Sequence, residues 1–126
     1  MSLEEVSQAY AVRFRPRALR DLDIESVRLA EIEGDEVALN WVDKIQEAIV
    51  SLATWPRRFA LAPEEELIER RVRVMLFRRT PGASAWRVFY TVEDADEDGF
   101  VVRVRHIRHG ASPLTEHDLQ EMLTDA

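Results

Sequence analysis

Three segments between residues 70 and 110 alternate arginine with apolar residues, and this alternation is typical of β-strands. They span residues 70–79, 85–92 and 100–110. Because successive side chains of a strand point to opposite faces, the spacing predicts a sheet with one apolar face and one arginine-rich face. A cationic sheet face in a chain with a formal net charge of −7 requires an explanation.

The first third of the chain reads as a short strand followed by two amphipathic helices. Residues 10–14 alternate, and Pro16 suits the first turn of a helix that is predicted to reach about Ile32. Gly34 interrupts it, and Asp35 is predicted to cap the next helix. That second helix has apolar residues at i, i+3, i+4 and i+7, namely Ala38, Trp41, Val42, Ile45, Ala48, Ile49 and Leu52.

A short helix is predicted after the third arginine-bearing strand. It spans about residues 115–124, where Thr115 and Asp118 have the spacing of a capping box. The predicted order is therefore β-α-α-β-β-β-α within one α+β domain of residues 1–126, whose core spans about 10–112. Two amphipathic helices beside an antiparallel sheet are expected to pack together on one of its faces.

The alternation assigns each strand residue to one of two faces. The predicted helix-covered face carries Val72, Val74, Leu76, Trp86, Val88, Tyr90, Val92, Phe100, Val102 and Val104. The predicted open face carries Arg71, Arg73, Met75, Phe77, Arg79, Arg87, Phe89, Val101, Arg103, Arg105, Ile107 and His109. Such a mixed surface suits a partner with negative charge and apolar side chains. The alternative is a solvated face whose arginines pair with Glu93, Glu64, Glu65 or Glu66.

The amino-acid composition excludes several kinds of bond and site. The chain has no cysteine, so disulfides and thiolate chemistry are excluded. Three histidines without carboxylates at ligand spacing predict no metal site, and no cofactor motif is present. We also expect a cytoplasmic protein without a signal peptide, since no apolar run approaches the roughly 20 residues of a membrane helix.

The last two strands resemble the toxins of the RelE/ParE superfamily. The resemblance rests on Trp-Arg-Val-Phe-Tyr at 86–90, an acidic turn, and a final strand ending in His-Ile-Arg-His-Gly at 106–110. Together with the preceding strand and two helices, it covers about residues 10–112. It implies a bacterial toxin of a type II toxin–antitoxin, or plasmid stabilisation, module that a cognate antitoxin neutralises.

The resemblance leaves two activities open. RelE-like members are ribosome-dependent mRNA endonucleases, and for them the candidate catalytic residues here are Arg87, Arg108 and His109. ParE-like members poison DNA gyrase and are not enzymes. The ParE-like reading is favoured because Lys44 is the only lysine, the residues after 110 lack tyrosine and lysine, and the net charge is negative. A non-toxic interaction module of the same fold is a third possibility.

An antitoxin is expected to cross the arginine face with a segment that folds on binding. The predicted partner-binding residues combine cations with apolar anchors: Arg73, Arg79, Arg87, Arg103, Arg105, Phe77, Phe89 and Ile107.

Overall fold

The polypeptide folds in the predicted order β-α-α-β-β-β-α. The computed structural model describes residues 9–62, 71–96 and 99–124. The elements are β1 (Ala11–Phe14), α1 (Pro16–Glu33), α2 (Asp35–Val50), β2 (Arg73–Phe77), β3 (Trp86–Asp96), β4 (Gly99–His109) and α3 (Glu116–Leu123). Two short 3-10 turns, Ser51–Ala53 and Pro56–Arg58, follow α2.

The four strands form one sheet in the order β1-β4-β3-β2. β2, β3 and β4 are antiparallel neighbours, as the alternation predicts. β1 instead lies parallel to β4, so the sheet is mixed and not purely antiparallel. Parallel neighbours need a long crossover, and α1, α2, β2 and β3 all lie between these two strands in the chain. Side-chain alternation does not encode strand direction, so this pairing had no signal in the sequence.

Proline and glycine set the boundaries of the helical hairpin. Pro16 is the first residue of α1, where its missing N–H costs nothing. Gly34 ends α1 with φ of 100°, and its N–H donates to the carbonyl oxygen of Ala30 at 2.9 Å. Gly34 is also the N-cap of α2, so the prediction that Asp35 caps this helix is wrong: Asp35 is its first residue.

The two long helices cover one face of the sheet with apolar side chains. Trp41 of α2, 1% exposed, contacts Trp86 of β3 with ring centroids 5.1 Å apart. We call this side the helix-hairpin face; its strand residues include Met75, Trp86, Val88, Tyr90, Val102 and Val104. Its helix residues are those predicted from the i, i+3, i+4 pattern, with Ala38, Trp41, Ile45 and Ile49 all buried.

The short helix α3 packs on the opposite side of the sheet. Leu119 and Met122 bury themselves there against a separate cluster that includes Val72 and Phe89. The predicted capping box is present: Asp118 N–H donates to Thr115 Oγ1 at 3.1 Å, and Thr115 N–H donates to Asp118 Oδ2 at 3.0 Å. We call this side the α3 face; its strand residues include Val74, Leu76, Arg87, Phe89, Thr91, Arg103, Arg105, His106 and Arg108, and Val72 precedes β2 on the same side. None of the helices described is long and apolar enough to cross a membrane.

Candidate partner-binding face

The predicted arginine face is not a single surface, because β2 has the opposite orientation to the one predicted. Arg73 lies opposite Tyr90 and Phe77 opposite Trp86, so both belong to the helix-hairpin side. Conversely, Val74 lies opposite Phe89 on the α3 face. A shift of one residue moves every side chain of a strand to the other face. The prediction failed here because both sides of β2 carry apolar residues, and alternation alone does not say which side the helices cover.

A β-bulge in β4 reverses the alternation, so residues after the bulge lie on the opposite side of the sheet from the one predicted. The register shifts between Phe89 and Tyr90, which lie opposite His106 and Val104, so that Arg105 is the additional residue. Beyond the bulge, Ile107 is buried in the helix-hairpin core and not on the predicted open face. His109 lies on the same side of the sheet as Ile107, and its ring stacks on Trp86 with centroids 4.2 Å apart.

Arg105 lies on the predicted side of the sheet but is not exposed. Its side chain is 1% accessible beneath α3. Its Nε donates to Thr91 Oγ1 at 2.9 Å, and its Nη1 to the carbonyl oxygen of Met122 at 3.5 Å. The prediction that Arg105 is available to an incoming partner is therefore wrong for the conformation in which α3 is docked. The guanidinium instead holds the last turn of α3 to the sheet.

Arg87 lies on the α3 face and anchors the segment that leads to α3. Its Nε donates to the carbonyl oxygen of Gly110 at 2.9 Å, and its Nη2 to that of Ser112. Its guanidinium carbon also lies 5.3 Å from the centre of the Phe89 ring. Phe89 itself is fully buried and belongs to the α3 cluster.

The remaining predicted partner-binding arginines have acidic or backbone partners. Arg103 Nε lies 2.6 Å from Glu93 Oε2 on the α3 face. Arg79 Nη2 lies 3.9 Å from Glu33 Oε1 at the end of α1. Arg73 Nη1 donates to the carbonyl oxygen of Phe59 at 2.7 Å. The alternative in which arginines pair with acids holds for Arg103 and Glu93, whereas Glu64, Glu65 and Glu66 lie outside the residues that the structure describes.

The three candidate catalytic residues do not form one site. Arg87 and Arg108 lie opposite each other on β3 and β4, on the α3 side. Arg108 Nη1 contacts Asp118 Oδ2 at 2.7 Å. His109 lies on the other side of the sheet, stacked on Trp86. An acid–base residue acts on a phosphate only when it is in hydrogen-bond reach of it. Arg87, Arg108 and His109 therefore do not face a common substrate.

An acidic group on α3 joins three elements, and the sequence reading did not identify its partners. Asp118 accepts from Arg108 and also lies 3.0 Å from Arg17 Nη2 of α1. Arg17 further contacts Glu121. The N–H of Thr115, its hydroxyl and the guanidinium of Arg108 together hold the pKa of Asp118 well below its ordinary value of 3.8. The acids of α3 were visible in the sequence, but pairing them with Arg17 required the tertiary structure.

His106 forms a second link between β4 and α1. Its Nδ1 lies 2.6 Å from Asp21 Oδ2, which also accepts the N–H of Ile107 at 3.0 Å. Its ring stacks on Phe89 with centroids 5.8 Å apart. These contacts fix the bulged segment of β4 in place, and with it the position of Arg105.

The α3 face has an apolar groove of about 470 Å³ beside the docked helix. Leu76 at its rim is 51% exposed, whereas Phe89 at its base is buried. The lining residues are Phe59, Ala60, Val74, Leu76, Arg87 and Phe89. The groove therefore combines apolar surface with the guanidinium of Arg87.

Comparisons with known proteins agree with this architecture. The chain matches the family model of the ParE toxin of type II toxin-antitoxin system, parDE, over residues 12–112. A solved chain of the chromosomal ParDE TA system from P. aeruginosa is similar in fold, with a TM-score of 0.64 at 22% identity, covering 83% of this chain and 100% of that chain. No curated protein matches. Because the family model spans well over half of the sequence, from within β1 to just beyond β4, this chain belongs to the ParE toxin family of type II toxin–antitoxin systems.

Proposed function

We propose that this chain is the toxin of a ParE-type plasmid stabilisation module, that it inhibits DNA gyrase by binding, and that a cognate antitoxin neutralises it. Membership of the ParE toxin family is the observation that carries this proposal. Since its target is gyrase, the protein acts in the bacterial cytoplasm. Inhibition by binding requires a shaped surface and no catalytic group.

The geometry of the candidate catalytic residues supports a non-enzymatic toxin over an mRNA endonuclease. RNA cleavage needs cations at the phosphate and an acid–base pair around it. Arg87 is committed to two backbone carbonyls and Arg108 to Asp118, while His109 lies across the sheet. Freeing the two arginines would require α3 and its linker to move, and His109 would still face the other way.

For the antitoxin we retain the part of the predicted surface that lies on the α3 face. Arg87, Arg103 and Phe89 remain the predicted contacts, because all three lie on this side of the sheet and Arg87 and Phe89 line the open groove. Arg73, Phe77 and Ile107 are excluded from this surface by their position on the helix-hairpin side, and Arg79 by its location near the end of α1.

The test is induced expression in growing bacteria, followed by two parallel assays with the purified protein. We expect growth arrest and inhibition of gyrase supercoiling. We expect primer extension to detect no cleavage of ribosome-bound mRNA. Comparing Arg87→Ala with Arg13→Ala tests for nuclease activity. Arg13→Ala is the control, because it also removes one charge, from an exposed position. Transcript cleavage that Arg87→Ala abolishes and Arg13→Ala preserves would replace the gyrase proposal. Normal growth would favour a non-toxic interaction module.

A further inference from the structure

The acids of α3 form a row that meets arginines from two other elements. Asp118 lies 2.7 Å from Arg108 Nη1 and 3.0 Å from Arg17 Nη2, and Glu121 also contacts Arg17. Asp118 and Glu121 are three residues apart, so they project from the same side of the helix. The chain itself thus supplies carboxylates to arginines at the edge of the α3 face.

A parallel row of apolar residues fills the surface between those ion pairs. Leu119 and Met122 each follow one of the acids, and they are 7% and 1% exposed. They pack in one cluster with Phe89 and Val72, both of which are fully buried. The helix therefore docks through the pattern acid–apolar–x–acid–apolar, which is Asp-Leu-Gln-Glu-Met at 118–122.

Two observations set α3 apart from the rest of the fold. It has eight residues, and a helix of that length is not stable in water without tertiary contacts. It also lies beyond residue 112, where the match to the toxin family ends. The surface beneath it belongs to β2, β3 and β4, which the family match includes. The strands pair with one another and not with α3, so the hydrogen bonds of the sheet do not depend on this helix.

The docked helix fills only part of the apolar surface on this side of the sheet. The groove of about 470 Å³ continues from Phe89 and Val74, which α3 reaches, to Leu76 at the edge strand β2. Leu76 remains 51% exposed. A longer amphipathic segment would repeat the contacts of α3 and add the groove, so it would gain binding surface that α3 does not use.

We infer that the α3 face is the binding surface for an acidic amphipathic helix of the antitoxin, and that α3 occupies this surface in the free toxin. The partner helix carries the same acid–apolar–x–acid–apolar pattern and extends with apolar residues into the groove. A ligand shifts such an equilibrium only through its preference for one state, and the groove supplies that preference. The identity of the partner as an antitoxin rests on the proposed function; the surface does not.

The test measures binding of α3 in trans to the full chain. The probe is a fluorescein-labelled peptide with the sequence of residues 111–124, followed by fluorescence anisotropy. Leu119→Ala combined with Met122→Ala in the protein weakens its own α3 and leaves the receiving surface intact. We expect this variant to bind the peptide at least about tenfold more tightly than the natural chain, because its surface is vacant for a larger fraction of time.

One control protein and two altered peptides distinguish binding at this surface from nonspecific apolar binding. Leu39→Ala combined with Val50→Ala removes exposed apolar side chains from α2, and this protein should bind the peptide no better than the natural chain. A peptide with alanine in place of Leu119 and Met122 should not bind the release variant. A peptide with Asp118→Asn and Glu121→Gln should bind about tenfold or more weakly, with little dependence on salt.

The inference fails if the folded release variant does not bind the peptide, or binds the alanine peptide equally well. Should the release variant not fold, a nitroxide on Gln120→Cys in the otherwise natural chain reports the same equilibrium, since the chain has no other cysteine. Excess unlabelled peptide should then mobilise the nitroxide, and an unchanged spectrum would overturn the inference. A dimer of the natural chain that Leu119→Ala abolishes would assign the surface to a second copy of this chain.

Peptide binding and toxicity have separate outcomes. A protein that binds the peptide but neither arrests growth nor inhibits gyrase refutes the proposed function and keeps the surface. If the protein inhibits gyrase but does not bind the peptide, the proposed binding surface is contradicted and the proposed function stands.

Discussion

The two faces of the sheet are closed in different ways. The helix-hairpin face is sealed by apolar side chains of two helices of 18 and 16 residues. The α3 face is sealed by one helix of eight residues and holds the buried polar side chains of the described part of the chain, Thr91, Arg105 and His106. Burial of apolar surface does not depend on the direction of individual contacts, whereas buried polar groups need hydrogen-bond partners in defined positions.

This difference makes the α3 face the side of the molecule that can open. Few apolar residues hold α3, and its ion pairs at Arg17 and Arg108 lie at the edge of the sheet, where water can replace them. Segments with few buried apolar contacts open at a lower free energy than the core. The comparison predicts that substitutions beneath the helical hairpin destabilise the whole fold, whereas those around α3 act locally.

The largest effect is expected for Trp41→Ala. Trp41 is 1% exposed and contacts Trp86 at the centre of the helix-hairpin face. We expect the free energy of unfolding to fall by about 3–5 kcal/mol, measured by urea denaturation. Trp55→Ala is the matched control, because Trp55 is 40% exposed, and its cost should be about 1 kcal/mol or less. Equal losses of unfolding free energy in the two variants would contradict the assignment of the main core to this face.

The next effect is expected for Arg105→Ala. The substitution removes a buried guanidinium and leaves Thr91 Oγ1 and the carbonyl oxygen of Met122 without that donor. We expect a loss of about 2–4 kcal/mol. Arg103→Ala, which breaks a less buried ion pair with Glu93, should cost about 1 kcal/mol or less. Hydrogen exchange should show the loss concentrated in α3 and not in α2, and a uniform loss would argue against local opening.

A pH titration tests the carboxylate that joins α3 to α1 and β4. The pKa of Asp118 is lower in the folded protein than its ordinary value of 3.8, so the unfolded chain binds the proton more readily. The contribution of Asp118 is therefore complete above about pH 5 and declines as the pH falls below 4. Asp118→Asn should cost about 1–2 kcal/mol at pH 7, and this cost should shrink steadily as the pH falls from 5 to 2. A difference that is independent of pH would contradict this role.

The smallest effect is expected for His117→Ala. His117 Nε2 lies 3.0 Å from Glu121 Oε1, but both side chains face solvent, with 76% and 44% exposure. An exposed i, i+4 pair contributes little, so stability at pH 7 should change by no more than about 0.5 kcal/mol. Thermal denaturation monitored by circular dichroism measures this. A larger loss would mean that the solvent side of α3 also holds the helix in place.

Local patterns in the sequence were sufficient for the elements and their order. The i, i+3, i+4 spacing around Trp41 identified α2 and its buried side, and Thr115 with Asp118 identified the start of α3. Pro81 and Gly82, typical turn residues, lie in the β2–β3 turn, where the N–H of Ala83 donates to the carbonyl oxygen of Thr80 at 3.1 Å and Gly82 has φ of 84°. Each of these signals depends on neighbouring residues alone.

The candidate site was predicted less well because it depends on register. The orientation of β2 was reversed, and the bulge at Arg105 moved Ile107 and His109 to the other face. A bulge has no fixed composition, and β2 is apolar on both sides, so alternation could not resolve either feature. Arg87 and Phe89 lie opposite the helical hairpin, as their spacing on β3 predicts, but Phe89 is buried there beneath α3 and not on an open face.

The sequence by itself determined which segments become helices and strands, their order, and a resemblance to RelE/ParE toxins that the family match confirms. Periodicity and turn chemistry act within a few residues, so they can be read without coordinates. Only the tertiary structure decided that the acids of α3 lie against Arg17 and Arg108, and that Arg105 is buried beneath that helix. Those contacts join residues far apart in the chain, and strand register and helix docking fix them through the packing of the whole domain.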